Sequence, residues 1–253
     1  MPIQFDNAVN AYLVDLTAFA SPLPITVCCY VYPTLAGKTQ YTITKIDEYV
    51  AMFGLGQTYS GAVDYFFFFV KDTGGTTRIV NGVTNIHSAL NQWYHVAGVA
   101  DGVNNHLYVN GIEDNTQVGC TSIFTSGFRS LTVGGIYRMW ASLPNILSGK
   151  IMDVRYYNVA LTQPEIQSIA LSWGSDTIVR GLYRRWLLTG KEDGTLWPEK
   201  SSPDPYGDLD LAYQSGGNYL YRGDLRCYNA NPLSPHPNLT WRDGPLSICR
   251  KVR

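Results

Sequence analysis

Charge is scarce in this chain of 253 residues, of which only 15% are Asp, Glu, Lys or Arg. The 19 Lys and Arg residues against 20 Asp and Glu residues give a formal net charge of −1. The molecule as a whole therefore has no field that would attract nucleic acid, and we expect no nucleic-acid partner.

Long apolar runs and a secretory leader are also missing. No stretch approaches the length of about 20 residues that a membrane-spanning helix needs, so no membrane insertion is predicted. The N-terminal MPIQFDNAVNAYLVDLTAF has no basic region followed by an apolar stretch and a small-residue cleavage site. We expect a protein that stays inside the cell, leaves it within a particle or by lysis, or becomes extracellular without a classical signal peptide.

Cysteines are few, odd in number and without C-x-x-C spacing, which argues against a zinc ribbon and against a full disulfide framework. Cys28 and Cys29 are adjacent in an apolar segment, where strand geometry would send them to opposite faces as small buried hydrophobes. The five cysteines are Cys28, Cys29, Cys120, Cys227 and Cys249.

Short β-rich segments separated by Gly, Asn, Asp and Pro recur through the first 160 residues. This spacing is typical of an all-β sandwich or barrel, and ten such segments predict two packed antiparallel sheets. The DGVNN segment predicts a hairpin connection. The ten segments are AYLVDL, ITVCCYVYP, YTITKI, YVAMFGL, DYFFFFV, TRIVNG, WYHVAGVAD, HLYVNG, SLTVGG and KIMDVRYYN.

One short helix is well marked after these segments. Thr162 is its predicted N-cap, Glu165 completes a capping box, and Pro164 is tolerated in the first turn. Gly174 is the predicted end. The apolar face at helical spacing consists of Ile166, Ile169, Ala170 and Trp173.

The pattern changes beyond the helix, so we divide the chain into a sandwich over 1–175 and a C-terminal extension over 176–253. The extension has one predicted strand at 181–188, followed by a turn-rich stretch. Residues 213–253 contain six Arg or Lys and two Asp, a local charge of +4, together with four prolines. We expect this basic, Pro-rich arm to be extended or looped.

Three segments resemble the C-terminal half of laminin G-like, concanavalin A-like lectin/glucanase domains. They are NQWYHVAGVADGVNNHLYVNGIEDN, LTVGGI and GKIMDVRYYNVALTQPEIQSI, which match in order and spacing. The opening QFDNAVNAYLVD and PITVCCYVYP are similar to that family's first strands, with Asn7 in place of a glycine and Tyr30 in place of a tryptophan. The resemblance covers residues 3 to 171 and implies a jelly-roll sandwich in which the helix covers an edge.

The resemblance also raises the question of a metal and of catalysis. Many of these sandwiches hold one structural calcium ion, and the matching carboxylates here are Asp6 and Asp153; otherwise both are surface or turn-capping acids. No other cofactor is implied.

The E-x-D-x-E triplet of glucanases with this fold is absent. The adjacent acid pairs Asp47–Glu48 and Glu113–Asp114 would place their carboxyls on opposite faces of a strand or in a turn. The chain is therefore predicted not to be an enzyme.

Histidine gives no ligand cluster either. His87, His95, His106 and His236 are not spaced as metal ligands. His95 occupies the W-x-H position of the resemblance, and we interpret it as a buried, hydrogen-bonded imidazole that supports a strand.

Aromatic residues suggest two surfaces. Tyr137, Arg138 and Trp140 fall together in a loop, where rings can stack on sugars and a guanidinium can bind hydroxyls, so they form the candidate carbohydrate site; the alternative is burial in their own domain. Phe66–Phe69 place rings on both faces of one strand, which favours a strand buried on both sides over one that meets a partner subunit.

Three functions remain open at this stage. The first is a phage virion component, a capsid decoration or tail-associated protein, because laminin G-like domains followed by an R-G-L-x-x-R-W-x-L segment resemble phage structural proteins. Its partners would be other virion or self subunits bound through the arm. The second is a soluble carbohydrate-binding module whose partners are surface glycans, and the third, less favoured, is a glucanase-like hydrolase.

Overall fold

The computed structural model describes residues 3–5, 13–15, 22–46, 51–124, 130–136, 145–186, 188, 209–215 and 218–225. These residues form fifteen β-strands, one α-helix and a short 3-10 helix at His87–Ala89. The helix α1 spans Gln163–Ser172. The strands are β1 (Ile3–Phe5), β2 (Leu13–Asp15), β3 (Ile25–Pro33), β4 (Gln40–Ile46), β5 (Ala51–Ser60), β6 (Val63–Lys71), β7 (Thr77–Asn81), β8 (Tyr94–Ala100), β9 (Asn104–Val109), β10 (Ile112–Val118), β11 (Ser130–Val133), β12 (Gly149–Tyr157), β13 (Leu182–Trp186), β14 (Leu209–Ser215) and β15 (Asn218–Leu225).

The strands build two antiparallel sheets. The smaller sheet has the order β1-β12-β3-β8-β9-β10, with β13 also paired to β12. The larger sheet has the order β15-β14-β2-β11-β4-β5-β6-β7. The predicted two-sheet β-sandwich with one short helix is therefore confirmed.

The core lies between the two sheets and follows the period-2 alternation of the strands. Phe66 and Phe68 of β6 point into it, as does Cys29 of β3. The sheets approach closely at Gly98 of β8, where a Cβ atom would lie 2.2 Å from the ring of Phe68. Cys28 points to the opposite side, as predicted, and belongs to a second cluster outside the sandwich.

Helix α1 packs on that second cluster. Ile166 and Ile169 are buried against the outer face of the smaller sheet, among Ala97, Val99 and Tyr108. The helix also contacts β10, the strand at the edge of this sheet, so it covers that edge as expected and extends over the apolar outer face of the neighbouring strands. The predicted capping box is present, with the Glu165 carboxylate accepting the backbone N–H of Thr162 at 2.8 Å.

The strand predicted at 181–188 is observed as β13, paired with β12. Trp186 and Leu188 are fully buried in the core, so this part of the predicted extension packs with the sandwich. Further on, β14 pairs with β2, and β15 pairs with β14, at the end of the larger sheet. Residues 213–215 and 218–225, the start of the arm that was expected to be extended or looped, are thus extended strands. The division at residue 175 itself stays a prediction.

Candidate functional site: an aromatic groove on the larger sheet

A groove of about 460 Å³ lies on the outer face of the larger sheet, over β4 to β7. Its described lining combines aromatic rings with hydroxyl and amide side chains. The lining residues are Thr39, Tyr41, Ala51, Thr58, Tyr65, Phe67, Phe69, Lys71, Thr77, Ile79, Asn81 and Ile136.

Aromatic rings and glycines form the groove floor. In register across β4, β5 and β6, Gly56 stands between Tyr41 and Phe67, and Gly54 stands beside Phe69. A Cβ atom on Gly54 would lie 2.5 Å from the Phe69 ring, so the missing side chain leaves the space that the ring occupies. The glycines of β5 therefore allow the rings of β6 to lie down across the neighbouring strand.

The three floor rings contact one another. Phe67 and Phe69 are nearly parallel, with an interplanar angle of 21° and centroids 6.2 Å apart. Tyr41 meets Phe67 edge-on at 5.6 Å and Phe69 at 6.3 Å. Phe67 and Phe69 are each 5% exposed, whereas Tyr41 and Tyr65 are half-buried and offer more ring surface to a ligand.

Polar side chains border this floor. The hydroxyls of Thr39 and Thr58 are hydrogen-bonded to each other at 2.7 Å, and Asn81 and Thr77 are exposed along β7. Hydroxyl and amide groups can both donate to and accept from a ligand, so the rim suits a ligand rich in hydroxyls.

The loop that carries Thr39 is held in place from below. The side-chain amides of Gln40 and Gln57 both donate to the carbonyl of Leu35, at 2.9 and 2.7 Å. Asp64, whose side chain is fully buried, accepts the N–H of Gly37 at 2.9 Å. Because this loop is tied to the strands, its end of the rim is formed before any ligand arrives.

The candidate sugar residues Tyr137, Arg138 and Trp140 lie outside the described residues, so that prediction stays open. The positions that flank them are described and adjoin the groove. Ile136 lines it, and the carbonyl of Asn145 accepts the backbone N–H of Tyr41 at 2.9 Å. Ile136 and Asn145 therefore lie at or next to the groove.

Of the predicted metal pair, Asp6 lies outside the described residues and Asp153 is 3% exposed. The Asp153 carboxylate accepts hydrogen bonds from Arg155 Nη2 and Arg185 Nε, each at 2.6 Å, and Arg155 also binds Asp176 at 2.7 Å. Burial raises the pKa of Asp153, but Arg155 and Arg185 more than offset this and bring the pKa down to about 2. In the structure the Asp153 carboxylate forms ion pairs with the guanidinium groups of Arg155 and Arg185. Calcium binding by Asp153 together with Asp6 stays a prediction.

No group of three or more His, Cys, Asp or Glu side chains in the described part of the chain is arranged to hold a metal ion. Glu113 and Asp114 lie in a strand and not in a turn, and Glu113 contacts His106 while Asp114 accepts the backbone N–H of Val83. The two carboxylates thus serve different neighbours.

His95 is buried, as predicted, at 2% exposure. Neither of its ring nitrogens has a hydrogen-bond partner among the described residues, so the expected hydrogen-bonded imidazole is wrong. The ring meets Tyr30 edge-on at 5.0 Å, and burial lowers the pKa of His95 to about 3. It therefore packs as a neutral ring.

Phe66–Phe69 are all buried, which confirms the prediction of a strand buried on both sides. Sequence reasoning missed that the outer pair forms a groove floor, and it did not select Tyr41, Tyr65 or Lys71. The available signal was the G-L-G spacing in AMFGLGQTYS next to an aromatic-rich strand. The two glycines indicate room for aromatic rings only if β6 is known to be the strand next to β5.

The two sheets and their order define a jelly-roll sandwich of the lectin type. The chain belongs to the concanavalin A-like lectin/glucanases superfamily, whose family model matches residues 6–167. No helix in the described ranges is long and apolar enough to cross a membrane. No curated protein sequence matches the chain.

Solved structures of low sequence identity share the fold. A putative carbohydrate binding protein from Bacteroides ovatus has a TM-score of 0.59 at 18% identity, covering 86% of this chain and 59% of that one. A heptameric SAP-like pentraxin from Limulus polyphemus has a TM-score of 0.55 at 19% identity, covering 66% and 80%. The CBM40 of a Ruminococcus gnavus IT-sialidase, bound to α2,3 sialyllactose, has a TM-score of 0.52 at 16% identity, covering 67% and 95%.

Proposed function

We propose that this protein binds carbohydrate, without hydrolysing it, in the groove on the outer face of its larger sheet. The observation that carries the proposal is the pairing of an aromatic floor with a hydroxyl and amide rim on neighbouring strands. The apolar faces of sugar rings stack on aromatic side chains, and sugar hydroxyls exchange hydrogen bonds with polar groups at the border.

The rigidity of the floor supports binding over a packing role alone. Phe67 and Phe69 are fixed by each other, by Tyr41 and by the two glycines of β5. A surface that is already ordered in the free protein loses little conformational entropy when a ligand binds to it. Tyr41 and Tyr65 are then the rings with enough exposed surface to contact a sugar.

The groove chemistry favours binding over hydrolysis. Retaining glycosidases need two carboxyl groups about 5 Å apart, and no Asp or Glu occurs among the described lining residues. Two proteins of the same fold support the class of ligand: the Bacteroides ovatus protein is a putative carbohydrate binding protein, and the Ruminococcus gnavus domain is bound to sialyllactose.

The test is a glycan array probed with the full chain, followed by titration calorimetry on the glycans that bind. Tyr65→Ala is expected to weaken binding about tenfold, because a stacked ring contributes about 1.5 kcal/mol. The matched control is Tyr59→Ala on the adjoining strand, which removes a ring that is 52% exposed and does not line the groove. Equal affinities for the two variants, or no bound glycan at all, would contradict the proposal.

A role in a phage virion is a separate proposal. Its support is the sequence itself, namely the resemblance to phage structural proteins and the basic, Pro-rich residues 213–253. A glycan-binding sandwich and an attachment segment are compatible in one chain, so this proposal concerns the location of the protein and its self or virion partners.

A further inference from the structure

The groove has a marked charge asymmetry. Lys71 is the one formally charged residue among its described lining residues, and the others are hydroxyl, amide, aromatic or aliphatic. A single cation in a groove without a lining carboxylate creates a local positive potential, even though the whole chain carries a formal charge of −1.

The position of Lys71 directs this charge to one end of the groove. Lys71 follows Phe69 by two residues on the same face of β6, so the two side chains start about 7 Å apart. On β7, Thr77 is the cross-strand partner of Lys71, and their Cβ atoms are expected to lie about 5 Å apart. An ammonium and a hydroxyl therefore stand side by side beyond the aromatic floor.

The neighbouring acid does not neutralise this end. Asp72 follows Lys71 directly and so leaves the strand on the opposite side. Its carboxylate accepts the backbone N–H of Thr76 at 2.8 Å and pairs with Arg78 Nε at 3.1 Å. Within the described residues no carboxylate pairs with Lys71, so its ammonium is available to a ligand.

We propose that the groove selects glycans that carry an anionic group, a carboxylate or a sulfate, held between the ammonium of Lys71 and the hydroxyl of Thr77. The inference rests on the proposed carbohydrate binding and adds the class of sugar. An oxyanion accepts from both donors at once, while a neutral sugar in the same place leaves the ammonium with only dipolar partners.

The experiment uses matched pairs of glycans on one array and in titrations with the full chain. The pairs are oligouronides and their methyl esters, sialylated and desialylated oligosaccharides, and sulfated and desulfated oligosaccharides. We expect tighter binding of the acidic member of a pair, and the carboxylate and sulfate pairs distinguish the two sources of negative charge. Affinity for the acidic member should fall as NaCl rises from about 0.05 to 0.5 M, because the site is open to solvent.

Lys71→Gln should lower affinity for the acidic glycan about tenfold or more, as expected for one lost hydrogen bond to a charged group, and should lower affinity for the neutral member by a clearly smaller factor. Lys150→Gln removes the same charge from the other sheet, where Lys150 lies over the Tyr32 ring, and should change neither affinity.

The outcomes separate the two proposals. Equal binding of neutral and acidic members, or equal loss for both in Lys71→Gln, overturns the inference and leaves carbohydrate binding intact. Binding of no glycan by the unaltered chain overturns both.

Discussion

Arg155 lies at the centre of a buried cluster of charged side chains. It is 1% exposed, and its guanidinium contacts the carboxylates of Asp153 and Asp176 and the hydroxyl of Tyr157. These contacts join β12 to the segment that follows α1. Because charges taken out of water must be paired, the cluster is more sensitive to the loss of one member than to the loss of all.

Replacing Arg155 with methionine should lower the free energy of unfolding by about 3–5 kcal/mol, because two buried carboxylates lose a partner. Chemical denaturation followed by tryptophan fluorescence measures the change. Arg180→Gln is the control, since Arg180 is half exposed and pairs with Glu165 on the surface. It should cost less than about 1 kcal/mol, and similar costs for the two variants would contradict the role assigned to Arg155.

The same cluster predicts an acid limit to stability. Arg155 and Arg185 hold the pKa of buried Asp153 near 2, below its usual value of 3.8. A depressed folded-state pKa stabilises the protein above the unfolded value, so this contribution, about 2 kcal/mol, is present above pH 4 and is lost as the pH falls toward 2. Melting temperatures between pH 5 and pH 2 should fall, and Arg155→Met should show a shallower fall than the unaltered chain.

Residue chemistry was only partly predictable from the sequence. The opposite faces of Cys28 and Cys29 follow from strand geometry alone. The pairing of Asp153 with Arg185 does not, because it depends on β13 folding back beside β12. The unpartnered nitrogens of His95 were missed for the same reason, since local sequence does not state which groups surround a buried ring.

At the scale of elements, α1 shows how a sequence signal and a packing surface combine. Its capping box holds the first turn, and Glu165 also pairs with Arg180 at 2.7 Å. Its buried face covers the outer side of the smaller sheet, while Trp173 at its end stacks on Tyr30 with centroids 5.1 Å apart.

Thr162→Ala should destabilise the protein by about 1 kcal/mol, because the first turn loses its cap. Thr162→Ser keeps the hydroxyl and should lie within a few tenths of a kcal/mol of the unaltered chain. Thermal unfolding followed by circular dichroism compares the two variants. If alanine and serine gave the same midpoint, the cap would have no part in stability.

Strand prediction succeeded where apolar residues alternate and failed where they do not. β10 has the sequence IEDNTQV and is exposed along most of its length, so neither face carries a hydrophobic signal. It is a strand because its backbone pairs with β9 at the sheet edge. The groove escaped prediction for a related reason: Gly54 and Phe69 belong to different strands, and only the register brings them together.

At the scale of the whole molecule, the larger sheet has two ends of different character. The groove occupies β4 to β7, whereas β14 and β15 extend the opposite end through their pairing with β2. We propose that the basic segment after β15 mediates self-association or virion attachment.

Deleting residues 226–253 retains every described strand and should preserve the β signal in circular dichroism while converting an assembled species to monomer. Size-exclusion chromatography with light scattering measures the mass. The longer deletion of 213–253 also removes β15 and part of β14, uncovers an edge of the sheet, and should lower the melting temperature as well. An unchanged mass in the shorter deletion, or a monomeric full chain, would contradict the proposed role of the segment.

Two-dimensional NMR of the labelled full chain, titrated with a glycan that binds on the array, tests the central claim most directly. Binding in the groove predicts chemical shift changes at the backbone amides of Gly54, Gly56, Thr77 and Asn81, with none around α1 on the opposite face of the molecule. Shifts clustered around α1 or the smaller sheet, with the groove amides unmoved, would contradict it.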